Sequence, residues 1–140
     1  HHRYLHSFPT RRSSDLNADT NGNFIRKRLL QLPLESSNRI LCFENLGSHG
    51  YFTAMKYCSF LLGNTSSGII EAASLSKYVI NLGNRQQGRK QSLNCFNVPF
   101  NKELILRTVQ KIENSQAYTG ENIYYKGNAA KNICSILKNI

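Results

Sequence analysis

The sequence predicts an α/β protein: a parallel sheet covered by helices on both faces. Three observations carry this. Short apolar runs recur, Phe60-Leu61-Leu62, Tyr78-Val79-Ile80-Asn81-Leu82 and Cys95-Phe96-Asn97-Val98, too brief for helices and bounded by Gly, Asn or Pro. Between and around them lie segments whose apolar residues repeat at helical spacing, and alternation of the two patterns favours a doubly covered parallel sheet. Finally, the runs ending at Phe43, Leu62 and Leu82 each open into a polar, Gly-containing loop, where doubly wound sheets bind ligands.

Taken in order, a helix is expected from a cap at Thr20 or Asn21 to about Leu32, with Phe24, Ile25, Arg28, Leu29 and Leu32 at i, i+3, i+4 spacing and Pro33 ending it. Residues 39–43 read as a short buried strand, followed by the loop Leu46-Gly47-Ser48-His49-Gly50. Residues 51–58 form a short helix with Phe52, Met55 and Tyr57 apolar, and 60–62 a strand stopping at Gly63. A helix is expected over 67–75, a strand over 78–82, a polar loop over 83–91 and a last strand over 95–98. Asn101 caps a helix with Leu104, Ile105, Thr108, Val109 and Ile112 on one face. A turn-rich stretch over 115–126 leads to a closing helix over 128–139, with Ile133, Ile136, Leu137 and Ile140 apolar. No internal repeat is present.

Length and composition bound the function. At 140 residues the chain is the size of one ordinary domain, able to bury about two-thirds of its unfolded surface. With 40% hydrophobic and 19% charged residues it belongs with globular proteins. No run reaches the roughly 18 apolar residues of a membrane span, and no secretory signal pattern is seen, so a cytoplasmic location and no membrane partner are expected. Cys42, Cys58, Cys95 and Cys134 form no CxxC pair and read as reduced cysteines, three of them in apolar runs, with no metal. The net charge of +10 suits an anionic partner. A nucleic-acid-binding module would interleave stacking aromatics with basic residues. Here the tyrosines cluster at Tyr124-Tyr125 and in apolar runs, so no nucleic acid is expected.

Residues 1–16 read unlike the rest, with three histidines, no periodicity and a Ser-Phe-Pro-Thr-Arg-Arg-Ser-Ser-Asp-Leu run. They resemble translated adapter read-through, and such segments are set aside in fold reasoning. The alternative is a native tail. On the first reading, residues 17–140 are the domain proper and the C-terminal part of a longer protein.

The loop Gly63-Asn64-Thr65-Ser66-Ser67-Gly68 leaves an apolar strand and enters a helix. Small residues permit close backbone approach, a helix start offers unpaired N–H groups, and Thr65, Ser66 and Ser67 add hydroxyls, a set that suits a diphosphate as well as it suits a bare polar cap. It is not a P-loop, since no Lys follows Gly68. Glu71, one turn on, either complements the helix dipole or accepts ribose hydroxyls. Arg85 and Arg89 place two planar guanidinium forks on one loop, the geometry that grips phosphate; the plainer reading is a solvated loop. Beyond residue 16 there is one Asp, Asp19, and one His, His49, so a Ser-His-Asp triad, a paired-carboxylate centre and a His/Cys metal site all lack parts. No catalytic residue is assigned.

The stretches NADTNG, GNTSSGIIEAAS, VINLGNRQQGR and YYKGNAAKNICSILKNI, in that order from Asn17 to Ile140, resemble the hydrolysing UDP-N-acetylglucosamine 2-epimerases, most nearly the bacterial branch that feeds sialic, legionaminic or related nonulosonic acid synthesis. The pairing of GNTSSGxxE with NLGNRQxGR is the specific part. The resemblance implies a Rossmann-like sheet forming the C-terminal half of a GT-B-like two-domain fold. It implies an enzyme that eliminates UDP from the sugar and hydrates the glycal-type intermediate to the 2-epimeric sugar, such as N-acetylmannosamine, with no cofactor. Asn17 and the backbone of Leu46 and Gly47 would then line the nucleotide pocket, Thr65 and Ser66 hold the diphosphate, Glu71 hold the ribose and Arg85 reach the nucleotide, with Ser67, Gly68 and Arg89 in support. The family's acid/base carboxylates and catalytic histidine lie mostly upstream and are not carried over. The expected partners are a UDP-sugar and the N-terminal domain of the same enzyme, with homo-oligomerisation left open; the chain alone is expected to be inactive. The alternative is the nucleotide-sugar-binding domain of a GT-B glycosyltransferase, against which NLGNRQQGR weighs.

Overall fold

A computed structural model describes residues 22–35, 40–43 and 45–139. The first helix, α1 (Gly22–Glu35), carries Pro33 inside its last turn, where a helix ending at Leu32 was expected. Proline has no N–H to give the carbonyl four residues back, which here is that of Leu29. The Cys42 thiol donates to that carbonyl instead, at 3.0 Å. The last turn is also clamped by a bidentate ion pair between Arg28 and Glu35, which raises the pKa of the guanidinium and lowers that of the carboxyl through their mutual hydrogen bonds. The Thr20 or Asn21 cap lies outside the described residues.

Residues 40–43 are not a strand, contrary to expectation. A strand needs a ladder partner, and none of the described strands pairs with this segment. Leu41 and Phe43 are about half exposed, so the apolar run alone misled. The expected loop before α2 (Gly47–Tyr57) is itself the first turn of that helix. Asn45 Oδ1 accepts from the Gly47 amide at 2.7 Å, closing a side-chain turn that lets the helix start early. Of its apolar residues Met55 is buried, with Tyr51 packed beside it, while Phe52 and Tyr57 face outward.

The sheet has three parallel strands in the order β1 (Phe60–Gly63), β2 (Tyr78–Leu82), β3 (Cys95–Val98). Register and side-chain alternation then divide the core in two. Leu61 pairs with Val79 and Val79 with Cys95; the buried residues of this row pack with Met55 and Cys58 of the α2 end and with Ala72. Phe60, Ile80 and Val98 point the other way, onto Val109 and Ile112 of α4 (Lys102–Glu113). The expected helices on both faces are therefore present. Asn101 caps α4, its Oδ1 accepting from the Leu104 amide at 3.0 Å.

Between β1 and β2 the expected helix breaks into α3 (Ser66–Ile70) and a 3₁₀ turn (Ala72–Leu75) closed by Ser76 in the left-handed conformation. The last helix, α5 (Ala129–Lys138), leaves Ile133, Ile136 and Leu137 more than half exposed, so its apolar stripe is largely uncovered by the described residues. No helix among the described residues is long and apolar enough to cross a membrane.

Candidate functional site

The carboxyl ends of β1 and β2 carry two loops that lie against each other. The first begins at Gly63. Thr65 is the N-cap of α3, extended in backbone, with Oγ1 accepting from the Gly68 amide at 3.3 Å. Ser66 is exposed and Ser67 half-buried; the first amides of a helix have no partner within its own ladder, and of these the Gly68 amide is taken by the Thr65 cap. Gly68 is buried against β2, and a Cβ there would stand 3.1 Å from Val79 Cγ1. This close approach is what lets α3 lie directly on the sheet.

Glu71 was expected one turn inside a helix over 67–75, complementing its dipole or accepting ribose hydroxyls. Because α3 has only five residues, one turn in is already its end, and Glu71 is the C-cap, its amide donating to Ser67 O at 2.9 Å. Its carboxylate accepts a short hydrogen bond from the Ser67 hydroxyl. Ser67 therefore acts on Glu71, and the hydroxyls left facing the loop are those of Thr65 and Ser66.

The second loop, residues 83–91, starts at Gly83, whose φ of +69° lies in the left-handed region that glycine enters freely. Its amide donates to Val98 O at 2.9 Å. Arg85 and Arg89 are exposed, and neither guanidinium has a partner among the described residues. Between them Gln86 turns inward, 4% exposed, with Nε2 donating to the Asn64 carbonyl at 2.7 Å. A third segment holds both loops from outside. Asn122 Nδ2 donates to Ile70 O and Ser74 Oγ, each at 2.7 Å, flanking Glu71. The Ile123 amide donates to Ser92 Oγ at 3.1 Å and Tyr124 Oη to Lys90 O at 2.7 Å.

Buried polar atoms without a partner concentrate here. Among the described residues they are Tyr51 Oη, Asn81 Oδ1 and Gln86 Oε1. Tyr51 lines a small cavity of about 10 Å³ with Leu61, Leu62, Gly63, Thr65, Gly68 and Val79. Burial pushes its hydroxyl pKa up, with Glu71's charge adding to the shift and Ser67 and Thr65 opposing it. Asn81 stands opposite Gly63 in the ladder and donates to Asn97 Oδ1 at 2.7 Å. Unpaired buried polar atoms are rare and mark strained or functional places.

The structure thus brings Thr65, Ser66, Ser67, Gly68 and Glu71 together and sets the loop of Arg85 and Arg89 beside them. Leu46 and Gly47 stand about one turn before Tyr51 on the approach to α2. Asn17 lies outside the described residues. Sequence reasoning passed over Tyr51, Gln86, Asn122 and Tyr124. The Asn-x-Tyr spacing in a turn-rich stretch was a legible signal for the last two; nothing local marks Gln86 as buried. No group of three His, Cys, Asp or Glu side chains fit for a metal occurs among the described residues, and all four cysteines are free.

Comparison with known proteins gives the family. The family model described as UDP-N-acetylglucosamine 2-epimerase matches residues 16–138. The chain is 34% identical over 126 residues to the polysialic acid biosynthesis protein P7 of Escherichia coli, covering 87% of this chain and 32% of that protein. It is 38% identical over 85 residues to the GDP/UDP-N,N'-diacetylbacillosamine 2-epimerase (hydrolyzing) of Campylobacter jejuni, covering 61% and 22%. With the UDP-N,N'-diacetylbacillosamine 2-epimerase (hydrolyzing) of Legionella pneumophila it shares 32% identity over 124 residues, covering 89% and 32%. The chain spans about a third or less of the length of these relatives.

Proposed function

This chain belongs to the UDP-N-acetylglucosamine 2-epimerase family, and from that premise we propose that it is the UDP-binding part of a hydrolysing 2-epimerase acting on a UDP-amino sugar. The observation that carries the proposal is the meeting of two loops at the carboxyl ends of β1 and β2. One offers Thr65 and Ser66 with Glu71 fixed behind them; the other offers two guanidinium groups with no partner among the described residues.

The chemistry assigns each a part. In an elimination the sugar's anomeric C–O bond breaks and its electron pair leaves with UDP, while the neighbouring carbon gives up a proton. Negative charge accumulates on the diphosphate, and fixed donors there lower the barrier because they need no reorganisation. Thr65, Ser66 and the α3 amides receive the diphosphate, Arg85 neutralises it with Arg89 in support, and Glu71, held by Ser67, accepts the ribose hydroxyls. Leu46 and Gly47 border the base. Water then adds to the unsaturated sugar. The groups that remove and deliver protons are assigned to the part of the enzyme outside this chain. The cytoplasm, where UDP-sugars are made, is the expected compartment.

The test is UDP binding measured by calorimetry. Ser66→Ala and Arg85→Ala should each weaken UDP by about 1–3 kcal/mol as charge-assisted hydrogen bonds are lost. Unchanged affinity in both variants would refute the site. The 140-residue chain should release no UDP from UDP-N-acetylglucosamine; release by the purified chain would place the chemistry here after all.

A further inference from the structure

Arg85 can serve a diphosphate only if its loop is held at the right distance from Thr65 and Ser66, yet a loop of nine residues with two glycines has many conformations. The structure shows what limits them. At its ends the loop is tied by backbone and strap, from Gly83 to Val98 and from Lys90 to Tyr124. Across its middle, Gln86 makes the hydrogen bond that links the basic loop to the phosphate-facing loop, Nε2 to Asn64 O at 2.7 Å. Two short backbone bonds, from Gln87 to Asn84 O and from Arg89 to Gln86 O, fold the chain tightly on either side of it. Residues 85, 87, 88 and 89 are all exposed and only Gln86 is buried.

A buried glutamine is expensive unless its amide is satisfied. Gln86 leaves Oε1 unpartnered and keeps the single bond that reaches Asn64. An apolar side chain of the same length would fill the space without that cost. What the amide adds is position: it fixes the residue next to Arg85 against the residue next to Thr65.

We propose that Gln86 is a positioning residue, a latch that sets the reach of Arg85 over the Thr65–Ser66 loop by hydrogen-bonding the Asn64 carbonyl. It touches no substrate itself and acts through its neighbours. The inference rests on the UDP reading of the site, so its test has one arm that needs no nucleotide.

The variant is Gln86→Met, which keeps length and volume and removes the donor. In the first arm, limited trypsin digestion reports the loop through cleavage after Arg85 and Arg89. Loss of the latch should raise the initial cleavage rate there several-fold, with cleavage at Lys138 unchanged as the internal reference. An unchanged rate at the two arginines overturns the latch whatever the ligand. In the second arm, UDP affinity is measured by calorimetry for Gln86→Met, Arg85→Ala and the double variant. Acting through Arg85, the Met substitution should weaken UDP by about three- to tenfold in the unmodified chain, the loss of one net hydrogen bond, and have no effect once Arg85 is Ala. A merely structural role would instead give the same loss in both backgrounds with a matching fall in melting temperature, and that result overturns the proposal. If the unmodified chain fails to bind UDP, the function reading has failed, and the latch is judged on the trypsin rates alone.

Discussion

Asn122 is the most informative residue to perturb outside the two loops. Its Nδ2 hydrogens are shared between Ile70 O and Ser74 Oγ, and its Oδ1 accepts from the Tyr124 amide at 2.9 Å. Asn122→Ala removes all three bonds. At about 1 kcal/mol net each the upper bound is about 3 kcal/mol, but the bonds to Ser74 and Tyr124 are exposed and water replaces those partners, leaving about 1 kcal/mol. For a domain of this size about 3 °C accompanies each kcal/mol, so the melting temperature should fall by about 3 °C in differential scanning calorimetry. Asn122→Asp keeps the acceptor for Tyr124 and loses both donors, and its carboxylate would face the Ile70 carbonyl. It should be no more stable than the Ala variant. Because Ile70 adjoins Glu71, UDP affinity should fall in both. A melting temperature within about 1 °C of the unmodified chain would show that residues 122–124 do not brace the site.

Three further outcomes are expected. Asn101→Ala removes the cap on α4 and should cost about 1 kcal/mol, read as a fall of the urea midpoint at constant slope. Gly83→Ala places a Cβ in a left-handed backbone, 2.6 Å from Phe100 Cε2; the exposed ring can swing aside, so the remaining cost is the backbone strain of about 1–2 kcal/mol. Burial pushes the Cys95 thiol up to about 11. The unfolded chain then loses that proton at lower pH than the folded one, so stability falls as pH rises from the ordinary thiol range toward about 11, and is unaffected below it. Cys95→Ala should flatten that part of the stability–pH curve; an identical alkaline slope in the two proteins would show that this thiol contributes nothing.

How much was legible beforehand divides along physical lines. The strands at 60–63, 78–82 and 95–98 and the helix capped by Asn101 follow from local signals, short apolar runs and a cap residue, and the structure has them in place. Segments decided by tertiary partners were misjudged. Residues 40–43 have an apolar strand's composition but no ladder neighbour among the described residues. The helix runs on through Pro33, and the Leu29 carbonyl left without its N–H is met by a distant thiol, that of Cys42. In the candidate site, the strand, loop and helix start that carry Thr65 and Ser66 were readable from chemistry and spacing, while the helix break at Glu71 was not. Gln86 was invisible because its partner lies 22 residues away, and although the Asn-x-Tyr turn around Asn122 was legible, its reach to Ile70, 52 residues away, was not.

The central claim is that the loops at the carboxyl ends of β1 and β2 hold a nucleoside diphosphate through its two phosphates. Parallel calorimetric titrations of the chain with UDP and with UMP test it most directly. The second phosphate should meet Ser66 and Arg85, so UDP should bind at least about tenfold more tightly, the worth of one charge-assisted contact, and the difference should disappear in the Ser66→Ala, Arg85→Ala double variant. Equal affinity for the two nucleotides, or a UDP preference that survives the double substitution, would contradict it.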